Sequence, residues 1–513
     1  MDGTSQTLLR PGSNCSRIAQ ADRFAMLVDG SGYYSALADT IPRAKRTVAI
    51  VGWDLDTRVR LGPSGGDGPL LPPLREWLRS VADATPTLEI YILTWDFPFI
   101  FANVRDPLLV REQDPFEHPR IHLHFDSEHP PGGSHHQKVV VIDDCLAFFG
   151  GMDIAGGRWD TPEHRHHDVR RGGGGAEPYP PYHDVQAMVD GDAARVLAAI
   201  VRNRWSRAAD TPMAPAGEPW DLWPSGVEPD LVDTAVGISR TDVPADGEVG
   251  CHEIEQLHLD LIAAARDSIY IENQYLTSAK MTGALCRRLE AEDGPDIVLV
   301  LPLDNAGWLE SHTIEAMRIR SVRRLRASDR FRRLRLCYPA VPGDGEHCVG
   351  LHSKVLVVDD RLFRVGSSNL TNRSMRLDTE LDGTIEAVAP EHRAAVLRLR
   401  NRLLAEHLGM PLAGVEAFLA ANRSLVRLVD ARCAESRCLC ELPQETVEPI
   451  LSNELVDPDG PVDAGDLIEG LATSAVGSPA RRLLPVVLAI AGTAVLVGFA
   501  IRRLRARSRR RSR

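Results

Sequence analysis

Short apolar runs rich in Val, Ile and Leu recur along the chain, and between them apolar residues fall every three or four positions. LEIYIL (88–93), IHLHF (121–125) and VVVI (139–142) read as strands in the first part, and DIVLVL (296–301), LRLCY (334–338) and KVLVV (354–358) in the second. Two longer stretches share one plan, an amphipathic helix running into a buried strand: YYSALADTIPRAKRTVAIVGWDL (33–55) and IEQLHLDLIAAARDSIYIENQYL (254–276). Strands alternating with helices predict an α/β chain in two similar halves.

Pro, Asp and Gly concentrate at 206–249, which reads as a connector between those halves, and again at 441–480. The expected organisation is an N-terminal segment (1–22), a first half (23–205), the connector (206–249), a second half (250–410) and an extension with an acidic linker (411–480). Residues 483–501 (LLPVVLAIAGTAVLVGFAI) then carry no charge over nineteen positions, about the thickness of a hydrocarbon core as a helix. With Arg481 and Arg482 before it and an arginine-rich tail (502–513) after it, this run is expected to anchor the chain as a single-pass membrane helix. The side bearing the body stays open. The tail favours the cytoplasm by the positive-inside rule, and the N-terminus has no signal peptide that would export the rest.

Charge narrows the partners. The chain of 513 residues has 59 basic and 71 acidic side chains, a net −12, and eight of the arginines sit in the last twelve residues. So acidic a body is a poor general binder of nucleic acid, and none is expected as a partner. The nine cysteines lack a CxxC pair, so neither a disulfide framework nor a zinc site is indicated. The basic run 318–335 reads either as a solvated helix or as a lipid-facing patch. The segment HRHHDVRRGGGG (164–175) reads as a flexible insertion near a site entrance, not as a metal site, because His164, His166 and His167 lack helical i, i+4 spacing.

Only four lysines occur: Lys45, Lys138, Lys280 and Lys354. Two of them fall at matching places in a repeat. His136-Gln137-Lys138 is followed by Asp143, Gly150 and Asp153; His352-Ser353-Lys354 is followed by Asp359, Gly366 and Asn369, each at an offset of 216. A strand period of two puts His136 and Lys138 on one face, and likewise His352 and Lys354. A neutral imidazole can act as nucleophile, a protonated one as general acid, and lysines can neutralise phosphoryl oxygens, provided both copies meet at one site. Asp143 and Asp359 complete each copy and are expected to hold it together through buried hydrogen bonds. Asp184 and Glu380, each downstream of its motif, are candidates to orient the imidazoles.

The paired HxKxxxxD pattern resembles the HKD motifs of the phospholipase D superfamily. GGMDIAGGRWD (150–160), IYIENQYL (269–276), PYHDVQAMVDG (181–191, with Tyr182 where that family has Trp) and GSSNLTNRSMRLDTEL (366–381) extend the likeness to the eukaryotic-type branch, over roughly residues 20–410. The resemblance implies two phospholipase D-like α/β halves, each a mixed sheet flanked by helices, packed with pseudo-twofold symmetry around one site. It implies a ping-pong course through a covalent phosphohistidine, with no metal and no other cofactor, a monomer sufficing. His136 would be the nucleophile and His352 the acid, though the reverse assignment fits the sequence equally. Lys138, Lys354 and Asn369 would bind phosphoryl oxygens. Asp153, the repeat partner of Asn369, would have to turn away from a phosphate. The implied reaction is hydrolysis, with possible transphosphatidylation, of a phospholipid substrate to phosphatidate. Cardiolipin synthase-like phosphatidyl transfer and an HKD-family nuclease are the alternatives.

Overall fold

The structure, a computed structural model, describes residues 7–62, 71–96, 115–172, 178–245, 250–303, 308–342, 347–432, 437–443 and 457–460. The apolar run 483–501 and the tail 502–513 lie outside the described residues. Among those residues no single helix is long and apolar enough to cross a membrane.

The first half runs β1 (Arg17–Val28), α1 (Asp29–Thr40), β2 (Thr47–Gly52), α2 (Leu74–Ala84), β3 (Glu89–Trp95), β4 (Ile121–Asp126), β5 (Val139–Ile142), β6 (Leu146–Gly150), β7 (Tyr182–His183), β8 (Val185–Asp190) and α3 (Gly191–Ala208). The second runs β9 (Leu231–Asp242), β10 (Cys251–His252), α4 (Glu253–Ala264), β11 (Ser268–Glu272), α5 (Ala279–Glu290), β12 (Asp296–Val300), α6 (Trp308–Ser328), β13 (Leu334–Val341), β14 (His347–Cys348), β15 (Gly350–Leu351), β16 (Val355–Val358), β17 (Leu362–Gly366), α7 (Asn372–Arg376), β18 (Glu380–Glu386) and α8 (Pro390–His407). After these come α9 (Leu412–Asn422), α10 (Leu425–Arg432) and β19 (Cys438–Glu441).

Each half builds the same mixed sheet. In the first the order is β4-β3-β2-β5-β6-β8-β1, with β2, β3 and β4 parallel and the rest antiparallel. In the second it is β13-β12-β11-β16-β17-β18-β9, parallel over β11, β12 and β13. β1 and β9 pair antiparallel, Arg17 opposite Ile238 and Phe24 opposite Leu231, and so join the two sheets.

The motif strands β5 (VVVI) and β16 (VLVV) are buried on both faces, which suits an uninterrupted β-branched and Leu run. One core cluster lies between the halves, with Val51, Val141 and Phe149 on one side and Tyr270, Val357 and Phe363 on the other. Gly383 in β18 packs there without a side chain because a Cβ would run into the Phe149 ring. Two outer cores, one under α1 and α2 and one under α4 and α5, close the outside of each half.

The sheet revises the expected boundaries. The connector expected at 206–249 contains β9, one of the two strands at the centre of the molecule. Its Pro-rich composition ends near residue 230, and LVDTAVGISRTD beyond it is a strand that an average over the whole stretch conceals. β1 likewise begins inside the expected N-terminal segment. The extension after residue 410 adds β19, which pairs with β13. Much of the basic run 318–335 is solvated, with Arg320, Arg323, Arg324, Arg330 and Arg332 exposed, but Arg318 is buried against Glu315 and donates to the Leu303 carbonyl, and Arg335 pairs with Asp430.

Candidate active site

His136 and His352 stand immediately before β5 and β16, and each is held by the other half of the molecule. The His136 amide donates to the Thr379 carbonyl (2.8 Å), and the His352 amide to the His183 carbonyl (2.9 Å). The side chains repeat that exchange. His136 Nδ1 lies 3.0 Å from Glu380 Oε2, and His352 Nδ1 lies 2.8 Å from Asp184 Oδ2. Both expected carboxylates are therefore present behind an imidazole, but each serves the histidine of the opposite copy. Gly151 makes this possible in the first half, since a Cβ there would collide with the Asp184 carboxyl.

With Nδ1 committed to a carboxylate, Nε2 of each ring is left for chemistry. The imidazole side chains retain only 16% and 12% exposure. Burial, followed by the charges of Lys138 and Lys354, pushes the His136 pKa well down. Burial and then Lys354, Arg158 and Lys138 do the same to His352. The hydrogen bonds that each histidine makes to the other half bring the two motifs together, and the lysines of both copies act on each ring.

The lysines differ. Lys138 Nζ sits 3.1 Å from Asp153 Oδ2 and donates to the His136 carbonyl. Asp153 is turned onto Lys138 and the Trp53 and Asp54 amides. At the matching place in the second copy stands Asn369, which is uncharged, and Lys354 has no salt bridge among the described residues; it donates to Gln274 Oε1 (3.3 Å) and the His352 carbonyl. Burial lowers the Lys354 pKa to about 7. Asn369 itself is buried, with Oδ1 lacking a hydrogen-bond partner among the described residues.

Glu380 is raised to about 8, chiefly by burial, although the Ser367 and Ser374 hydroxyls donate to it at 2.5 and 2.6 Å. Asp184 is also raised by burial, opposed first by Lys354 and then by the Val185 amide and Arg158. Asp143 and Asp359 sit at the far ends of the motif strands. Asp143 accepts from the Lys45, Arg46 and Thr47 amides, Asp359 from those of Arg266, Asp267 and Ser268, so each clamps the chain entering the neighbouring strand and stands apart from the imidazoles.

Sequence reasoning left several neighbours unassigned. Tyr182 stacks on His352 with ring centres 5.8 Å apart, and Arg158 lies over the other ring and donates to its hydroxyl. Trp53 stands edge-on to His136. Arg158, Tyr182 and Gln274 all fall within the quoted family-like segments, where their presence was a signal without a role. His164 overturns an expectation. It is fully buried, hydrogen-bonded to Asp160 and Glu406, whereas His166 and His167 are exposed. Its partners lie far away in sequence, so spacing within the run could not reveal it.

Two imidazoles, each with a carboxylate behind it, beside two lysines are a set that can carry out nucleophilic displacement at a centre bearing anionic oxygens. Comparison with known proteins agrees. Residues 126–219 match the family described as phospholipase D, and residues 258–395 the family described as cardiolipin synthase, PLD-like domain. Phospholipase D A of Dictyostelium discoideum is 26% identical over 481 residues, covering 77% of this chain and 36% of its own length. Phospholipase D alpha 1 of Vigna unguiculata is 25% identical over 377 residues, covering 52% and 46%. The chain thus spans under half the length of these two relatives. Phosphatidylserine synthase of Haemophilus influenzae Rd KW20 shares the fold, with a TM-score of 0.50 at 13% identity over 83% of this chain and 98% of that one.

Proposed function

We propose that this chain, which belongs to the phospholipase D superfamily, hydrolyses glycerophospholipids to phosphatidate and a free headgroup through a phosphohistidine. The observation that carries the reading is the exchange of carboxylates between the two motif copies, which supports one site built from both histidines.

In the first step His136 Nε2 attacks phosphorus, the bond from phosphorus to the headgroup oxygen breaks, and His352 gives its Nε2 proton to that oxygen. In the second, a water loses a proton to His352 and attacks phosphorus, the P–N bond breaks, and phosphatidate leaves. Lys138, Lys354 and the Asn369 amide would meet the non-bridging oxygens, whose charge must be held through both steps. Asp184 stands among Lys354 and Arg158, so it is the better kept anion, and an anion behind His352 favours the imidazolium that an acid requires. That supports His136 as nucleophile and His352 as acid. A single chain suffices for the reaction, and the apolar run 483–501 with its arginine tail would hold it at the membrane.

A second reading is phosphatidyl transfer, in which a lipid alcohol takes the place of water. It is favoured by the description of the family matched at 258–395 and by the fold shared with a phosphatidylserine synthase. The test is to incubate the full chain with mixed-headgroup phospholipid in detergent micelles, with and without ethanol and phosphatidylglycerol. Phosphatidate, and phosphatidylethanol when ethanol is present, is the expected outcome. Cardiolipin with no phosphatidate would establish transfer instead, and no lipid product would overturn both readings.

A further inference from the structure

Behind His352, away from the reacting atoms, four buried side chains converge: Asp29, His164, His183 and Glu406. They come from the first residue of α1, the 160–172 loop, β7 and the end of α8. Their side chains are between 0 and 7% exposed. Each histidine has its outward nitrogen committed to a carboxylate. His183 Nε2 is 2.9 Å from Glu272, which also accepts from Tyr270, Ser353 (2.5 Å) and His407; His164 Nδ1 is 2.9 Å from Asp160, which Arg171 holds. In a neutral ring those contacts place the only N–H outward, and the lone pairs of His183 Nδ1 and His164 Nε2 point inward.

What they point at is also electron-rich, so without a cation between them His164 and His183 can hydrogen-bond to Glu406 and Asp29 only by carrying a second proton each. His183 Nδ1 lies 2.8 Å from Glu406 Oε1 and 3.0 Å from Asp29 Oδ1; His164 Nε2 lies 3.0 Å from Glu406 Oε1 and 3.6 Å from Asp29 Oδ2. Among the described residues neither Asp29 oxygen, nor His183 Nδ1, has a partner of good hydrogen-bond geometry, although His183 Nδ1 and Asp29 stand at ion-pair distance. Something positive belongs between them. Those spacings, taken to one or other Asp29 oxygen, lie near the ~3.3 Å edge of a tetrahedron around a zinc ion with ligand bonds of ~2.0–2.1 Å, and one ligand atom from each residue falls within 4.8 Å of the others. Two carboxylates balance a divalent charge, and a carboxylate behind each ligating imidazole is the usual support of such a site.

We infer that Asp29, His164, His183 and Glu406 bind a divalent metal ion, zinc first by the chemistry of two imidazoles and two carboxylates. The ion touches no reacting atom. It fastens β7, where His183 precedes Asp184, to α1 and α8, and so positions the carboxylate that orients His352. The duplication explains why this cluster has no counterpart in the second half among the described residues. Between the motif histidine and its downstream carboxylate the first half is longer by 20 residues, the offset falling from 216 (His136 to His352) to 196 (Asp184 to Glu380), and His164 lies in that extra length. The second half has Thr379 where the first has His183.

The experiment is metal analysis of the full chain purified without added metal or chelator, beside Glu406→Gln and His164→Ala. About one equivalent of a divalent metal in the wild type, lost in either folded variant, is expected. Protein from cobalt-supplemented cells should show the visible absorption of a tetrahedral cobalt site, a readout that needs no variant to fold. Less than about a tenth of an equivalent of every divalent metal in folded wild type, with no cobalt spectrum, would overturn the site and leave two extra protons to bind the cluster. Neither measurement involves substrate, so the result is independent of which lipid is cleaved.

Discussion

The two histidine stations are alike at the reacting atoms and unlike one layer back. His136 is supported by Glu380, which is held by two serine hydroxyls and carries its proton up to about pH 8. His352 is supported by Asp184, which is surrounded by Lys354, Arg158 and the Tyr182 hydroxyl (3.4 Å). The lysines are unlike in the same way, Lys138 neutralised by Asp153 and Lys354 left beside an amide. The difference teaches that duplication preserves the paired histidines and lysines, while the charges that stand behind them diverge.

The comparison breaks outright if either station can be spared. His136→Ala and His352→Ala should each lower kcat by about 10⁴-fold or more, and the double variant should be little worse, because the two act as one unit. Appreciable turnover in either single variant would dissolve the shared site.

Next in size is the contrast between the supporting acids. Asp184→Asn removes an anion and should cost about 10²- to 10³-fold in kcat. Glu380→Gln replaces a group that is mostly neutral below pH 8 and should cost only about 10-fold at pH 6.5, the loss growing above pH 8 where the native side chain would ionise. Parallel pH–rate profiles would show the two curves diverging, and equal losses at both pH values would refute the asymmetry.

A smaller signal comes from Lys354. With its pKa near 7 it is largely uncharged at pH 8, and an arriving anion draws it toward the ammonium form. Binding of a short phosphonate monoester should therefore take up protons at pH 8, approaching about one per site, and fewer from Lys354 at pH 6. Calorimetry in two buffers of different ionisation enthalpy measures this. Lys354→Arg, always charged, should reduce the uptake at pH 8.

The subtlest contrast lies at the motif aspartates. Both accept three backbone amides, but Asp143 also accepts from Trp220 Nε1 (3.1 Å). Asp143→Ala should lower stability by about 3 kcal/mol and Asp359→Ala by about 2, read by denaturant unfolding. A reversed order would show that Trp220 contributes nothing.

How much of this was legible beforehand follows the distance over which each contact acts. The β-branched runs of β5 and β16 and the repeat at 216 are local, and the structure has the two strands where the chain pattern puts them. Asp184 and Glu380 were legible as residues but not as partners, because their pairings with His352 and His136 span 168 and 244 positions. β9 was hidden by its Pro-rich approach. His164 was hidden by louder neighbours, two exposed histidines and a glycine run, while the residues that surround it arrive from three other elements.

The exchanged carboxylates also set a moment in the life of the chain at which chemistry can begin. A ribosome that has released only the first half has made His136 and Asp184, an imidazole without its carboxylate and a carboxylate without its imidazole. Nothing in that fragment can be phosphorylated and discharged in turn. Only after Glu380 has emerged and β18 has paired beside β9 do both stations close, together and late. On the proposed reaction, competence is granted by completed folding itself.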